Sequence, residues 1–324
     1  MSNVTDLSSL GARSRTSSIV RSGLWSFAAA LLQFPVVPGA LAGQAEHLNP
    51  VIAQLEAGET VYGLSTQDLS LSYARQAARE PVDFLYVDME HSPIDLPALR
   101  TFLLAMGDKE RVLEKGSVRP SVALLARFAP PAMESEWIVK QALDLGLYGV
   151  IFNGVDTPEQ AAFAVSTMRY PQLRDSRHPE PVGIRGVSAA NAAWAWGVSS
   201  SEYVRRADLW PLNPDGDLLA VMMIESVEGL RNVNAIAATP GVGALFPGAG
   251  GDLSRSLGVT QGTPELEEAF QQILEACLAN DVACAITAST GQDVARRVRE
   301  GWRIIRTTVE AADVGREILR EEGL

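Results

Sequence analysis

Short apolar runs alternate with amphipathic stretches from residue 61 to the end of the chain. The apolar runs are rich in β-branched and aromatic residues and are bounded by turn-forming residues, which is typical of buried strands. We predict eight strands, at residues 61–66, 84–90, 122–128, 149–155, 218–226, 243–248, 282–288 and 302–309. Strands that are apolar along almost their whole length are typical of a parallel sheet covered by helices.

The stretches between these runs have the periodicity of amphipathic helices, most clearly at residues 135–146, 156–170, 263–281 and 310–323. Eight strand–helix units in roughly 260 residues predict a (β/α)8 TIM barrel. An open, doubly wound sheet is the alternative. That fold usually has a glycine-rich phosphate turn after its first strand, and here the chain reads "STQDLS".

One long segment, residues 171–217, has no clear periodicity and contains Trp194 and Trp196. A connection of this length is uncommon in a compact domain unless it forms a lid or a binding segment. The sequence leaves three interpretations open for the two tryptophans, namely a lid, an oligomer contact and ordinary core packing.

The first 44 residues differ in character from the rest. Several arginines precede the apolar run "LWSFAAALLQFPVVPGALAGQA", which contains an A-x-A site at residues 40–42. These are the parts of a secretory signal, and two prolines break the run well short of the roughly 20 residues that span a bilayer. We predict a signal peptide or a disordered extension at residues 1–44, a barrel domain at 45–324 and no membrane span. Export to the periplasm is slightly favoured over a cytoplasmic location.

Composition excludes several chemistries. The net charge of −12 argues against a nucleic-acid partner. The three lysines all lie outside the predicted strands, so none is placed for Schiff-base catalysis, and chemistry at a carbonyl would need a metal ion. Cys277 and Cys284 have no histidine nearby to complete a metal site, and we expect two buried thiols rather than a disulfide.

Charged residues stand at the carboxyl ends of several predicted strands. They are Asp88, Glu90, His91, Arg127, Glu225 and Asp252. A parallel barrel gathers these strand ends on one rim, where the active sites of such barrels lie. The convergence therefore indicates a catalytic site.

The residue types indicate the chemistry of that site. Glu225 and Asp252 are hard oxygen ligands that suit Mg²⁺ or Mn²⁺, and the alternative for Glu225 is a salt bridge. Arg127 in an apolar strand could bind a carboxylate or an enolate oxygen. His91 could act as a base near neutral pH, with Asp144 as a candidate orienting partner, and the alternative is a hydrogen-bonded core histidine.

Three blocks together resemble the metal-dependent pyruvate aldolases of the HpcH/HpaI (2,4-dihydroxyhept-2-ene-1,7-dioate aldolase) family. The blocks are "FLYVDMEHSPID", "IVKQALDLGLYGVIFNGVDTPEQAAFAV…RYP…GIRG" and "MMIESVEGLRNVNAIAATPGVGALFPGAGGDLSRSLG". The resemblance implies a phosphoenolpyruvate/pyruvate-type (β/α)8 barrel, a homo-oligomer (hexamer or trimer) and a divalent ion, either Mg²⁺, Mn²⁺ or Co²⁺.

By position, the resemblance implies specific roles. Glu225 and Asp252 would be the metal ligands, and His91 with Asp144 the catalytic pair. Arg127 would be both catalytic and substrate-binding, with Gly248 and Gly251 also at the substrate. Asp88 and Glu90 would lie further out and orient His91 and metal-bound water.

The implied reaction is carbon–carbon cleavage of a 4-hydroxy-2-oxo acid through a metal-stabilised enolate, which gives pyruvate and an aldehyde. The small-molecule partners would then be an oxo acid of the pyruvate or oxaloacetate type and an aldehyde. The alternatives are an oxo-acid decarboxylase or a CoA-thioester lyase on the same scaffold, and a non-catalytic oxo-acid binding protein.

The chain departs from the family pattern at three places. Met223 stands where a glutamine is common, two residues before Glu225. The loop "GAGGDLS" is one residue longer than usual, and "FNGVDT" replaces the common "VPMV". These changes leave the proposed ligands in place but could alter substrate preference.

Overall fold

The computed structural model describes residues 46–324, so the predicted signal peptide or extension at residues 1–44 lies outside the described part. The strands are β1 (Val61–Thr66), β2 (Phe84–Met89), β3 (Ala123–Phe128), β4 (Gly149–Phe152), β5 (Leu209–Trp210), β6 (Leu218–Met223), β7 (Ala244–Phe246), β8 (Ala283–Thr287) and β9 (Ile304–Arg306).

The helices of the same residues are α1 (Pro50–Glu56), α2 (Leu71–Ala77), α3 (Leu96–Ala105), α4 (Lys109–Lys115), α5 (Glu136–Leu145), α6 (Pro158–Met168), α7 (Ala190–Trp196), α8 (Ser200–Arg206), α9 (Val227–Arg231), α10 (Val233–Ala237), α11 (Gly251–Leu257), α12 (Pro264–Ala279), α13 (Gly291–Glu300) and α14 (Val309–Glu321). Within residues 46–324, no helix has both the length and the apolar character needed to cross a bilayer.

The sheet closes on itself. Neighbouring strands follow the order β4-β3-β2-β1-β9-β8-β7-β6, and β4 also pairs with β6. Every pairing is parallel, and the two-residue strand β5 is added beside the start of β6. The predicted (β/α)8 TIM barrel is therefore confirmed.

Side chains fill the inside of the barrel. Phe84, Tyr86, Leu125 and Val221 all point inward and line a narrow interior space. Gly63 in β1 makes room for Phe84, because a Cβ at position 63 would lie 2.3 Å from the Phe84 ring. Any larger residue at this position would force the aromatic ring out of the core.

Several strands end earlier than the sequence predicts. The strand β4 ends at Phe152 and β6 ends at Met223, so Asn153 and Glu225 already belong to the connecting loops. Both residues lie within the apolar runs that predicted these strands. The apolar pattern alone therefore placed the strand ends too late. The shift leaves their side chains at the open rim of the barrel.

The segment 171–217 is more ordered than its sequence pattern suggested, because it contains α7, α8 and β5. Trp196 is buried, stacks on Tyr148 with ring centroids 4.4 Å apart, and donates a hydrogen bond to the Gly146 carbonyl. Trp196 therefore belongs to the core, whereas 80% of Trp194 is exposed.

The expectation of two buried thiols was wrong, because Cys277 and Cys284 form a disulfide. Cys277 lies in the last turn of α12, and Cys284 lies at the start of β8 just after a tight turn. The turn brings their Cα atoms to 5.8 Å, a separation that suits a disulfide. The sequence spacing alone did not show this approach.

Candidate active site

The polar residues of the site share the inner face of the barrel. Side chains two residues apart in a strand point to the same face. The inward-facing Tyr86, Leu125, Ile151 and Val221 are therefore followed, two positions on, by Asp88, Arg127, Asn153 and Met223. The strand positions therefore place Asp88 and Arg127 on the same inner face of the barrel.

Asp88 and Arg127 form a bidentate ion pair. The two residues are direct neighbours in the register of β2 and β3. Arg127 donates from Nε to Asp88 Oδ1 at 3.2 Å and from Nη2 to Asp88 Oδ2 at 2.7 Å. Burial opposes ionisation of Asp88, but the guanidinium and two backbone N–H groups outweigh it and lower the pKa of this carboxyl.

The remaining guanidinium nitrogen of Arg127 is also engaged. Its Nη1 lies 2.5 Å from Glu90 Oε2 and 3.7 Å from the sulfur of Met223. Arg127 thus contacts both Asp88 and Glu90. Asp88 occupies the edge of the guanidinium that is formed by Nε and Nη2. The role of Arg127 in binding substrate stays a prediction, and the second N–H of Nη2 is a donor that remains for it.

Glu90 and Asn153 each keep one buried oxygen without a hydrogen-bond donor. Asn153 donates from Nδ2 to Glu90 Oε1 at 2.7 Å and to the Ala129 carbonyl at 3.3 Å. Within residues 46–324, neither Glu90 Oε2 nor Asn153 Oδ1 accepts a hydrogen bond, although Glu90 Oε2 forms an ion pair with Arg127 Nη1. Two unsatisfied buried acceptors in one site fit a cation or a donor group of a ligand.

The surroundings of Glu225 disfavour the ionised form of its carboxyl group. Burial is the largest cause, and repulsion from Glu90 and Asp252 adds to it, which raises the pKa of Glu225 to about 7. The Gly154 N–H, 3.3 Å from Glu225 Oε2, and the charge of Arg127 act in the opposite direction but do not cancel the effect. A divalent cation would remove this repulsion.

Asp252 lies in the first turn of α11 and is exposed. The chain reaches it through Gly248 and Gly250, whose φ angles of +60° and +76° suit glycine, and Gly251 then begins the helix. A Cβ at position 250 would also lie 2.6 Å from the ring of Phe270. The longer "GAGGDLS" loop therefore needs these glycines to place Asp252 on the rim.

Within residues 46–324, no group of three or more His, Cys, Asp or Glu side chains is arranged to enclose a metal ion. The donor set that the chain offers is smaller, namely two carboxylates, Glu225 and Asp252, with mutual repulsion. Two carboxylates with open positions suit Mg²⁺, which keeps several waters and takes further ligands from substrate. The residues present therefore fit a divalent ion of this type.

His91 lies at the outer edge of the site. Its side chain is 59% exposed, and its Nε2 is 3.5 Å from Glu90 Oε2. Backbone contacts fix the loop, because the His91 N–H points to Asp88 Oδ1 at 3.4 Å and Gln67 donates to the His91 carbonyl at 3.4 Å. An exposed imidazole beside a carboxylate can exchange protons with a ligand, and the core-histidine alternative does not fit this exposure.

The structure of one chain does not bring Asp144 to His91. Asp144 lies in the last turn of α5 and accepts a hydrogen bond from Arg185 Nη2 at 2.9 Å. A helix of a βα unit ends near the start of the next strand, which is the opposite end of the barrel from His91. The role of Asp144 stays a prediction, and Glu90 is the carboxylate that His91 approaches.

Reasoning from the sequence missed Asn153. It lies in "FNGVDT", a stretch that stood out only as a departure from the common pattern. The sequence did indicate this residue, because an asparagine directly after a buried apolar strand lies at a strand end, where the active-site residues of such barrels are found. Its hydrogen bond to Glu90 and the Gly154 N–H contact to Glu225 make this loop part of the site.

Known proteins share the sequence pattern of this chain. The model of the HpcH/HpaI aldolase/citrate lyase family matches residues 66–314. The chain belongs to the HpcH/HpaI aldolase/citrate lyase family. A 5-keto-4-deoxy-D-glucarate aldolase of Salmonella paratyphi C is 31% identical over 221 residues, which cover 68% of this chain and 74% of that protein.

Solved structures of the HpcH/HpaI family have the same fold. A family protein of Burkholderia cenocepacia J2315 is 28% identical, with a TM-score of 0.67, and the match covers 85% of this chain and all of that one. An HpcH/HpaI aldolase of Desulfitobacterium hafniense has a TM-score of 0.62 at 21% identity, over 84% of this chain and 96% of that one. The similar proteins are aldolases and lyases, so the chain is an enzyme of this superfamily.

Proposed function

We propose that the protein is a divalent-metal-dependent pyruvate aldolase that cleaves 4-hydroxy-2-oxo acids into pyruvate and an aldehyde. The observation that carries the proposal is the closeness of Glu225 to the carboxylates of Glu90 and Asp252 and to the guanidinium of Arg127. Burial of Glu225 and its repulsion from these two carboxylates raise its pKa to about 7, so negative charge at the mouth of the barrel is disfavoured. A bound cation is the simplest way to offset that charge.

Glu225 and Asp252 would hold the ion, and Asn153 Oδ1 and Glu90 Oε2 are the unsatisfied acceptors beside it. A divalent ion at this place supplies Lewis-acid polarisation of the carbonyl of a bound 2-oxo acid. The metals that suit this donor set are Mg²⁺ and Mn²⁺, and Co²⁺ is a further candidate.

Arg127 contributes fixed positive charge. Asp88 holds the guanidinium through two hydrogen bonds, so its position is set before substrate binds. The second N–H of Nη2 can reach an oxygen that gains negative charge when the carbon–carbon bond breaks. A preorganised donor of this kind lowers the barrier without any movement of the protein.

His91 is placed to move protons. Its exposed ring lies beside Glu90 and can accept the proton of the 4-hydroxyl during cleavage. The same ring can return a proton to the methyl carbon of pyruvate as the product forms. Glu90 would orient the ring and stabilise its charged form.

The test uses the purified chain with oxaloacetate, and with pyruvate plus simple aldehydes, in the presence of Mn²⁺ or EDTA. The proposal expects aldol product that depends on the metal. Turnover that is unaffected by EDTA would contradict it, and turnover of oxaloacetate alone would favour a decarboxylase. Metal binding without turnover of any oxo acid would favour the non-catalytic alternative.

A further inference from the structure

Residues 46–56 close the end of the barrel opposite the active site. Asn49 donates from Nδ2 to the carbonyls of Tyr148 and Asp217 at 3.2 and 3.1 Å, and these two residues stand directly before β4 and β6. Val51, in the first turn of α1, lines the barrel interior. This segment therefore covers the amino-terminal ends of the strands.

The side chain of Asp217 ties the segment to the barrel. It is fully buried, and its Oδ1 accepts hydrogen bonds from the backbone N–H groups of Leu48 at 2.9 Å and Asn49 at 3.2 Å. Its Oδ2 accepts from Arg206 Nη1 at 2.8 Å. His47 Nδ1 lies 2.9 Å from Asp217 Oδ1. Because a carboxylate has no proton to donate, Nδ1 of His47 must carry the hydrogen of this contact.

The other ring nitrogen of His47 faces a second carboxylate. Its Nε2 lies 3.3 Å from Oε2 of Glu56, the last residue of α1. Trp210 Nε1 donates to Glu56 Oε1 at 3.0 Å, which fixes the carboxylate beside the imidazole. Since Nδ1 is already a donor, a neutral ring would turn the lone pair of Nε2 towards Glu56. Only the protonated ring can donate to both carboxylates.

The environment of His47 favours its charged form. Burial opposes the charge, but the hydrogen bonds and charges of Asp217 and Glu56 outweigh it and raise the pKa of His47 above 6.5. The other charged or titratable groups around the ring and its two partners are Glu46, Glu59, Arg119, Tyr148, Glu202 and Arg206. Both arginines in this set are themselves paired with carboxylates.

We infer that His47 is a pH-sensitive latch, which holds residues 46–56 on the barrel when the ring is protonated and loosens them when it is neutral. The stabilisation is fully present below the unfolded value of 6.5 and is lost as the pH rises through the higher pKa of the folded protein. The segment is therefore held firmly in mildly acidic surroundings and more loosely in alkaline ones. The latch and the proposed reaction lie at opposite ends of the barrel, so neither depends on the other.

The primary test combines two measurements on the whole chain. NMR of histidine-labelled protein follows the ring signals of the three histidines from pH 5 to pH 9, assigned with single His→Gln variants. Hydrogen–deuterium exchange with mass spectrometry follows peptides of residues 46–56 at pH 6 and pH 8.5, corrected for intrinsic exchange rates. We expect the pKa of His47 to lie above 6.5. The corrected exchange should be about tenfold faster at pH 8.5, as expected for the loss of one charge-assisted hydrogen bond.

Three variants separate the latch from general effects of pH. His47→Gln cannot take up a proton, so its corrected exchange should be the same at both pH values. Glu56→Gln removes the more exposed of the two partners and should reduce the pH effect about threefold, which decides the matter if His47→Gln does not fold. His178→Gln is the matched control, because the contacts of His47 do not involve His178, and it should keep the full pH effect.

A pKa of His47 at or below 6.5 would overturn the inference, as would a pH effect on residues 46–56 that His47→Gln or Glu56→Gln leaves unchanged. A peptide of β3 serves as the internal reference. Equal acceleration of its exchange at pH 8.5 would also overturn the inference, because the rise in pH would then loosen the whole barrel rather than this segment.

Discussion

The substitution Glu225→Gln should make the metal-free protein more stable at pH 8. Burial and neighbouring carboxylates raise the pKa of Glu225 from 4.5 to about 7 in the folded protein. The folded state therefore binds a proton more tightly than the unfolded state, and stability falls as the pH rises from the unfolded value through the folded one. A glutamine side chain at this position is neutral at every pH, so the free energy of unfolding would not fall in this way as the pH rises.

The magnitude follows from the two pKa values. At pH 8 the cost of ionising Glu225 in the folded state is about 3 kcal/mol, and at pH 5 it is below about 1 kcal/mol. The Gly154 N–H can still donate to the amide oxygen of glutamine, so the substitution leaves this contact in place. We expect a gain of up to about 3 kcal/mol at pH 8 and of less than about 1 kcal/mol at pH 5.

The assay is urea unfolding in EDTA, followed by circular dichroism at both pH values. Glu275→Gln is the matched control, because Glu275 is exposed on α12 and should change stability little at either pH. A Glu225→Gln protein that is less stable than wild type at pH 8, or that shows the same change at both pH values, would refute the reasoning.

Three other substitutions test the rest of the site. His91→Ala should leave Mn²⁺ affinity within about twofold by titration but slow proton exchange at the pyruvate methyl by about 100-fold or more, and equal exchange rates would reject His91 as the base. Asp88→Asn should cost about 3 kcal/mol in urea unfolding at pH 7, because it breaks the buried pair with Arg127. The low pKa of Asp88 means that this difference should shrink as the pH falls below the unfolded value of 3.8, and a difference independent of pH would count against the ion pair. Met223→Gln should lower the KM for oxaloacetate by up to about tenfold, since its amide gives Arg127 Nη1 a better acceptor than sulfur, and a raised KM would show that Met223 shapes the pocket instead.

The fold could be predicted because its signal is local and repeated. Each barrel strand is a short run of apolar residues, and helices α5, α6, α12 and α14 begin and end within two residues of the predicted bounds. Helices α7 and α8 were missed because their mix of alanine, serine and aromatic residues has no clear amphipathic period. The packing of Trp196 against Tyr148 and Tyr203 shows which faces of these helices are buried.

The identity of the site residues was easier to predict than their contacts. The sequence placed Asp88, Glu90 and Arg127 at one rim, since the end of a parallel strand is visible in the apolar pattern. It could not show that Arg127 gives its bidentate edge to Asp88, because this depends on the register of β2 and β3.

Exchange of the pyruvate methyl protons for deuterium, followed by proton NMR, tests the central claim most directly. If a divalent ion at Glu225 and Asp252 activates a bound oxo acid, wild type should catalyse exchange with Mg²⁺ or Mn²⁺. EDTA and Glu225→Gln should each abolish it. Exchange that continues in EDTA, or that Glu225→Gln leaves at the rate of wild type, would contradict the account.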